Sequence, residues 1–222
     1  KKMHDEIKKL TPLGKAMARQ MNLSWETPQF QVAMEISCTA LMAARKALAY
    51  KPSVTSVIVA AVAKALGDFP LLNASWGEDH IDLNSEIGLG IAMDTGKGLL
   101  VPVIHDAGGK SLLQIHENLE AMKARTERGN FTMEELQGGT FTVSNLGMFG
   151  VSSFHAVVNA PQAAILALAA IRETPVVREG QLTTDKVMCV TLSVDHRVTD
   201  GATGARFLMR LKEILEAPEQ LF

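Results

Sequence analysis

The period at which apolar residues recur changes along this chain, and each change marks an element. Thr11-Pro12 followed by Leu13, Met17 and Met21 reads as a capped helix with proline in its first turn. Over 30–37 the period falls to two, with Phe30, Val32, Met34 and Ile36 on one face of a strand. Residues 39–49, carrying Leu41, Met42, Arg45 and Leu48, predict a second helix. Residues 53–66 predict a third that is apolar nearly all round and therefore buried, ended by Gly67 and Pro70.

Short strands are expected next, over 81–83, 87–93 and 99–104, with Gly96-Lys97-Gly98 as the turn between the last two. Ser111 and Gln114 form a capping box that opens a long amphipathic helix to about Arg128, and Thr132 with Glu135 forms a second box. Gly138-Gly139 precedes a strand over 140–144. The apolar runs 163–170 and 187–194 read as central strands, and a helix over 203–216 follows. Strands and helices are interspersed without strict alternation. That order favours one α/β domain spanning 1–222 with a mixed sheet flanked by helices.

Composition narrows the class. The 222 residues are 47% hydrophobic and 21% charged, enough to bury a real core. A net charge of −2, with both signs mixed along the chain, argues against nucleic acid or an anionic membrane as partner. No apolar run reaches membrane-spanning length, and the charged start at 1–9 is not a secretory signal. Because the chain does not begin with Met, a piece of a longer protein is expected. Cys38 and Cys189 lack metal-ligand spacing and read as reduced structural thiols of an intracellular protein.

The chemistry concentrates in Asp195-His196-Arg197-Val198-Thr199-Asp200-Gly201, directly after the last strand. A histidine four residues before an aspartate arises by chance in roughly one such chain in four. Fixing Asp195, Arg197 and Gly201 as well makes the match rarer by a factor on the order of several thousand. A neutral imidazole is suited to remove a proton from a thiol of pKa about 8.5, and Asp200 can orient the site. The plainer alternative makes Asp200 the cap of the last helix, and the two roles are compatible.

Two further stretches stand out. In Thr140-Phe141-Thr142-Val143-Ser144-Asn145-Leu146-Gly147, the hydroxyls of Thr140, Thr142 and Ser144 share one strand face, so Ser144 is a candidate donor to an oxyanion. Thr142 and Asn145 are candidate substrate contacts beside it. Around Asp94-Thr95-Gly96-Lys97-Gly98, the glycines permit close approach, and Asp94 and Lys97 are further candidates, Lys97 for a phosphate. No G-x-S-x-G elbow supports a hydrolase, and His196 with Asp200 lacks a third ligand for a metal, so none is expected.

Together with Gly98-Leu99-Leu100-Val101-Pro102, Asn73-Ala74-Ser75-Trp76 and Asn159-Ala160-Pro161-Gln162, these motifs resemble the catalytic core of dihydrolipoamide acyltransferases of 2-oxoacid dehydrogenase complexes. The resemblance runs from Leu10 to Phe222 in order. It implies a chloramphenicol-acetyltransferase-like fold working as a trimer, with His196 as general base, Ser144 on the oxyanion and Asp200 supporting the geometry. Histidine and serine would come from neighbouring subunits.

It implies coenzyme A as substrate and a lipoyl group carried on a separate domain. That domain and the subunit-binding domain are absent from this sequence. The implied partners are a 2-oxoacid decarboxylase and dihydrolipoamide dehydrogenase around a core of 24 or 60 subunits. The bacterial cytoplasm is the implied location, with the mitochondrial matrix as the alternative. Ser144-Asn145-Leu146-Gly147-Met148-Phe149-Gly150 is most similar to the acetyl-transferring, pyruvate dehydrogenase branch. The alternatives are a coenzyme-A-dependent O-acetyltransferase of the same fold and an inactive scaffold subunit. One departure matters: Gly14-Lys15 stands where the family carries Arg-Lys, leaving Arg19 or Arg45 to replace that arginine near Asp200.

Overall fold

The computed structural model describes residues 9–96 and 98–222; the candidate Lys97 lies outside the described residues. Helix α1 (Pro12–Trp25) is capped by the Thr11 hydroxyl, which accepts from the Gly14 N–H. Strand β1 (Gln29–Ser37) leads to α2 (Thr39–Ala47) and α3 (Val54–Leu66), the latter capped by Ser53. Nearly all of α3 from Ser56 onward is buried, which is why its apolar residues surround it instead of forming a stripe.

A separate antiparallel pair, β2 (Ala74–Trp76) and β3 (Ile81–Leu83), follows. Strand β4 (Leu89–Thr95) then pairs along one edge with β5 (Gly98–Leu100) and β6 (Val103–Ile104). The single strand expected over 99–104 is thus divided at Pro102. Proline has no N–H for the ladder, and its carbonyl accepts from the Ile91 N–H instead. Helix α4 (Leu112–Thr126) opens with both halves of its capping box, and Thr132 and Glu135 exchange the equivalent bonds further on. Strands β7 (Phe141–Asn145), β8 (Ala164–Arg178) and β9 (Gln181–Asp195) and helix α5 (Gly201–Glu216) complete the order.

The main sheet runs β1-β9-β8-β7-β4-β5, with β6 beside β4. Only the β4–β7 and β7–β8 pairs are parallel, so the sheet is mixed as expected. Leu89, Phe141, Leu166 and Leu192 face one way and pack, with no more than 1% exposed, against Ile58, Leu119, Phe207 and Leu211 of the helices. By strand alternation Thr142 and Ser144 face the other way. There the extended segment after β7 crosses the sheet: Gln29 accepts from the Val158 N–H, and Ser24 from the Ala160 N–H.

The sequence predicted no element over 171–186, yet β8 and β9 continue there as a two-stranded arm. Glu179 and Gly180, both at positive φ, close it in a two-residue turn. Asp185, 8% exposed, anchors the arm: it accepts from Ser37 Oγ at 3.0 Å, Thr39 Oγ1 at 2.6 Å and the Lys186 N–H at 2.8 Å, and pairs with Arg178. These donors, Thr39 first, hold its pKa down to about 2. A carboxylate whose folded pKa is depressed stabilises fully above its unfolded pKa, and that contribution fades as pH falls through the folded value. Stability should therefore drop between about pH 4 and pH 2 by an amount on the order of 2 kcal/mol from this group. In Asp185→Asn that increment should be missing from melting curves taken across the same pH range.

Candidate active site

His196 sits in the turn between β9 and α5, exposed to solvent. Three things hold it. Its N–H donates to the Pro28 carbonyl at 2.9 Å, its ring meets the edge of Phe30 at 5.7 Å and 88°, and the turn itself is clamped from below. The clamp is Asp195, 2% exposed, whose carboxylate accepts from the Arg197 N–H at 3.0 Å and from its guanidinium at 2.9 and 2.7 Å. Arg197 in turn lies 4.6 Å over the Trp76 ring, and the Asp195 carboxylate raises its pKa. So the two charged residues flanking His196 pair with each other and fix the turn that presents it.

Arg197→Ala would leave a buried carboxylate with its best donors removed. Hydrogen bonds to charged groups contribute about 1.5–3 kcal/mol, so a loss of that order is expected in thermal unfolding. Arg197→Lys should recover part of it but not the stacked, bidentate geometry.

Asp200 is exposed and caps α5, its Oδ1 accepting from the Thr203 N–H at 2.8 Å. That bond holds its pKa below the usual carboxylate range, with the neighbouring Arg206 and His196 adding to the effect. The helix accordingly starts at Gly201, two residues before the position expected. A Cβ at Gly201 would come within 2.7 Å of the Phe30 ring that braces His196, so only glycine fits.

Ser144 lies near the end of β7, half-buried, between Ala92 of β4 and Ala167 of β8. Its hydroxyl has no hydrogen-bond partner among the described residues. The residue lies on the margin of a cleft of about 410 Å³, lined also by Asp94, Asn145, Thr55 and the exposed Met148 and Phe149. Asn145 closes the turn: its amide donates to Thr55 Oγ1 at 3.1 Å and its oxygen accepts from the Gly147 N–H at 2.8 Å. A Cβ at Gly147 would approach the Ala169 carbonyl oxygen to 2.8 Å, which explains the glycine after Asn-Leu.

Strand register separates Ser144 from His196 within one chain. Ser144 is opposite Ala167, Ala167 is opposite Thr191, and His196 lies five residues beyond Thr191. With a rise of about 3.3 Å per residue and strands about 4.8 Å apart, the two are about 17 Å apart along the strands and about 10 Å across them. They stand at opposite ends of the strands, and no single chain can close them on one substrate atom.

Two other candidates are engaged by hydrogen bonds within the chain. Thr142 is 1% exposed and donates to Gln162 Oε1 at 2.6 Å, locking the crossing segment to β7. Arg45 donates to the Pro52 carbonyl at 2.6 Å and braces the loop before α3. It lies past the Ser37 end of β1, whereas His196 is held at the Pro28 end, so within one chain it does not replace an arginine near Asp200. Arg19 is exposed on α1. Thr55 was not singled out by sequence, because nothing in the apolar pattern of α3 marks it; only the β7–α3 contact does. Among the described residues no group of three or more His, Cys, Asp or Glu has metal-binding geometry, and no helix is long and apolar enough to cross a membrane.

The model of the 2-oxoacid dehydrogenases acyltransferase catalytic domain matches residues 2–222. The chain is 37% identical over 215 residues to the dihydrolipoyllysine-residue acetyltransferase component of the pyruvate dehydrogenase complex of Rickettsia conorii, covering 93% of this chain and 52% of that protein. It thus spans about half the length of the curated relatives it matches. Among solved structures, the Azotobacter vinelandii dihydrolipoamide acetyltransferase, studied for a serine, a histidine and an asparagine in its catalytic mechanism, superposes with a TM-score of 0.93 at 29% identity. The match covers 98% of this chain and 94% of that one. The cubic core of a pyruvate dehydrogenase multienzyme complex gives 0.93 at 31% identity, over 98% and 94%. A chloramphenicol acetyltransferase, at 14% identity and a TM-score of 0.59 over 89% and 94%, shares the fold.

Proposed function

We propose, because this chain belongs to the family of 2-oxoacid dehydrogenase acyltransferase catalytic domains, that it transfers an acetyl group between a dihydrolipoyl thiol and coenzyme A. The observation that carries this reading is His196, exposed on a turn held rigid by the Asp195–Arg197 clamp and braced by Phe30. An imidazole so placed needs no reorganisation before it accepts a proton.

In the proposed reaction His196 removes the proton from the thiol of coenzyme A as its sulfur bonds to the carbonyl carbon of the acyl-lipoyl thioester. The Ser144 hydroxyl donates to the oxygen, which takes up the carbonyl electron pair. As that pair returns, the bond from carbon to the lipoyl sulfur breaks, and His196 gives its proton to the departing sulfur. Asp200, ionised beside it, stabilises the transient imidazolium. One thioester replaces another, so the protein supplies orientation, proton transfer and oxyanion stabilisation without a large driving force.

The placement of Ser144 and His196 at opposite strand ends supports a homotrimer in which one subunit's serine meets the next subunit's histidine. The cubic assembly of a 31% identical neighbour supports a larger core built from such trimers. A 2-oxoacid decarboxylase and dihydrolipoamide dehydrogenase would then be the partners, with the lipoyl group brought by a domain outside this sequence. Bacterial relatives favour the cytoplasm over the mitochondrial matrix.

The test compares acetyl-, succinyl- and isobutyryl-coenzyme A as donors to free dihydrolipoamide. Preference for acetyl supports the reading. Activity with hydroxyl acceptors and none with dihydrolipoamide overturns it in favour of O-acetyl transfer, and no transfer at all favours a scaffold. At the C-terminus Phe222 is 48% exposed while Leu221 packs on the core. Deleting Leu221 and Phe222 should leave trimers in sedimentation runs; a persisting large particle would show that the assembly does not use this end.

A further inference from the structure

The β8–β9 arm has its faces the wrong way round for a ribbon that stands alone in water. Val177 and Leu182 are directly opposite each other in its register, so both side chains rise from one face. Pro175 lies two residues along on that face, flanked by Glu173 and Lys186. Val177 is 71% exposed and Leu182 77%. The other face carries Thr174, Arg178, Gln181, Thr183 and Asp185. It is the face turned to the body, because Asp185 bonds there to Ser37 and Thr39. The arm cannot roll over to hide Val177 and Leu182 on its own chain without pulling the buried Asp185 carboxylate off these donors, a costly loss.

The direction of the arm says what covers it. Strand β7 runs parallel to β8, and their pairing ends at Asn145 with Leu168, one residue past Ser144. From Leu168, β8 continues to Arg178, so the arm overhangs the Ser144 end of the strands by about 30 Å. Beyond Leu168 on β8 and Val187 on β9, no third strand pairs with it among the described residues. A two-stranded ribbon is marginal in water by itself. The acyltransfer reading above brings another subunit, carrying its His196, to this same end.

We propose that the arm is a strap between subunits, its Val177–Leu182 face closing on a second copy of this chain, the one whose His196 serves its Ser144. This rests on the trimer reading above and names the segment that holds the two halves of the site together. Aliphatic side chains at the centre with charged ones at the margin are the makeup of an interface core. A head-to-tail contact of this kind repeats around a closed ring, so all three arms are covered at once.

Thiol reactivity tests the contact without disturbing it. In the assembled Leu182→Cys variant, maleimide labelling of that thiol, followed by the mass of its peptide, should run at least about tenfold slower than in the denatured chain. A thiol that reacts as fast in the assembly as in the denatured chain overturns the proposal. The labelling is repeated on the trimers left by deletion of Leu221 and Phe222. Protection kept there supports a contact inside the trimer; protection lost there assigns the arm to a contact between trimers and overturns it. A second variant, Val177→Thr with Leu182→Thr, keeps β-forming residues in the arm and removes the apolar contact. Each buried aliphatic side chain contributes roughly a factor of ten or more, so this trimer should dissociate at a protein concentration about 10²-fold higher than the wild type. Acetyl transfer should fall on dilution and return on concentrating. Sedimentation and transfer that follow the wild type through the same dilutions overturn the strap. A wild type that sediments as monomers, or transfers no acetyl group, sinks the reading beneath it before any variant is made, so the two failures are distinct.

Discussion

Replacing His196 by alanine should lower kcat for acetyl transfer by about 10²–10⁴, the usual contribution of a positioned general base. The loss should be chemical rather than structural. The imidazole is exposed, its ring touches only the edge of Phe30, and the bond from its N–H to Pro28 belongs to the backbone and survives the substitution. Melting temperature and sedimentation should therefore match the wild type. The clamp beneath the turn also remains, since Asp195 and Arg197 pair with each other and not with His196. Steady-state kinetics at saturating donor and acceptor decide the matter. An alanine variant with wild-type kcat would remove the general base from the mechanism and restore the scaffold alternative.

Ser144→Ala should cost about 10²–10³ in kcat with little change in KM, because the hydroxyl is asked to donate only to charge that develops on the way to the transition state. Its lack of a partner among the described residues means that the substitution breaks no hydrogen bond in the fold. The two defective chains then make a sharper test together than apart. If Ser144 and His196 meet only across a subunit boundary, co-expressing Ser144→Ala with His196→Ala should rebuild intact sites at about one interface in four of a randomly mixed trimer. Each chain alone should stay nearly inactive. A mixture no more active than its components would place both residues in one chain's site, against the register that puts them at opposite strand ends.

The legible part of this site was local. His196, Asp200 and Gly201 lie within one turn and one helix start, and their spacing carries the geometry that the structure shows, down to Asp200 as the α5 cap. Ser144 was legible as a hydroxyl near a strand end. Thr142 and Arg45 carried the same chemical signal as the other candidates, and only the structure shows that within the chain they reach Gln162 and Pro52. Thr55 gave no signal. The arm over 171–186 was missed because an exposed ribbon lacks a buried face and so lacks a hydrophobic period to read. Its Glu-Gly turn is also not the Asn-Gly pattern that announces a hairpin.

By itself, the order of residues determined the periods of the elements, the capping boxes, the mixed α/β class and the identity of the histidine turn, because each depends on neighbours a few positions apart. Only the tertiary structure decided which strand lies beside which, and so that Ser144 and His196 lie at opposite strand ends within one chain. It also decided that Thr55 of α3 meets Asn145 at the end of β7. Strand order and register are settled by contacts between residues far apart in sequence, where burying one face of every strand at once selects a single arrangement that no short window of residues encodes.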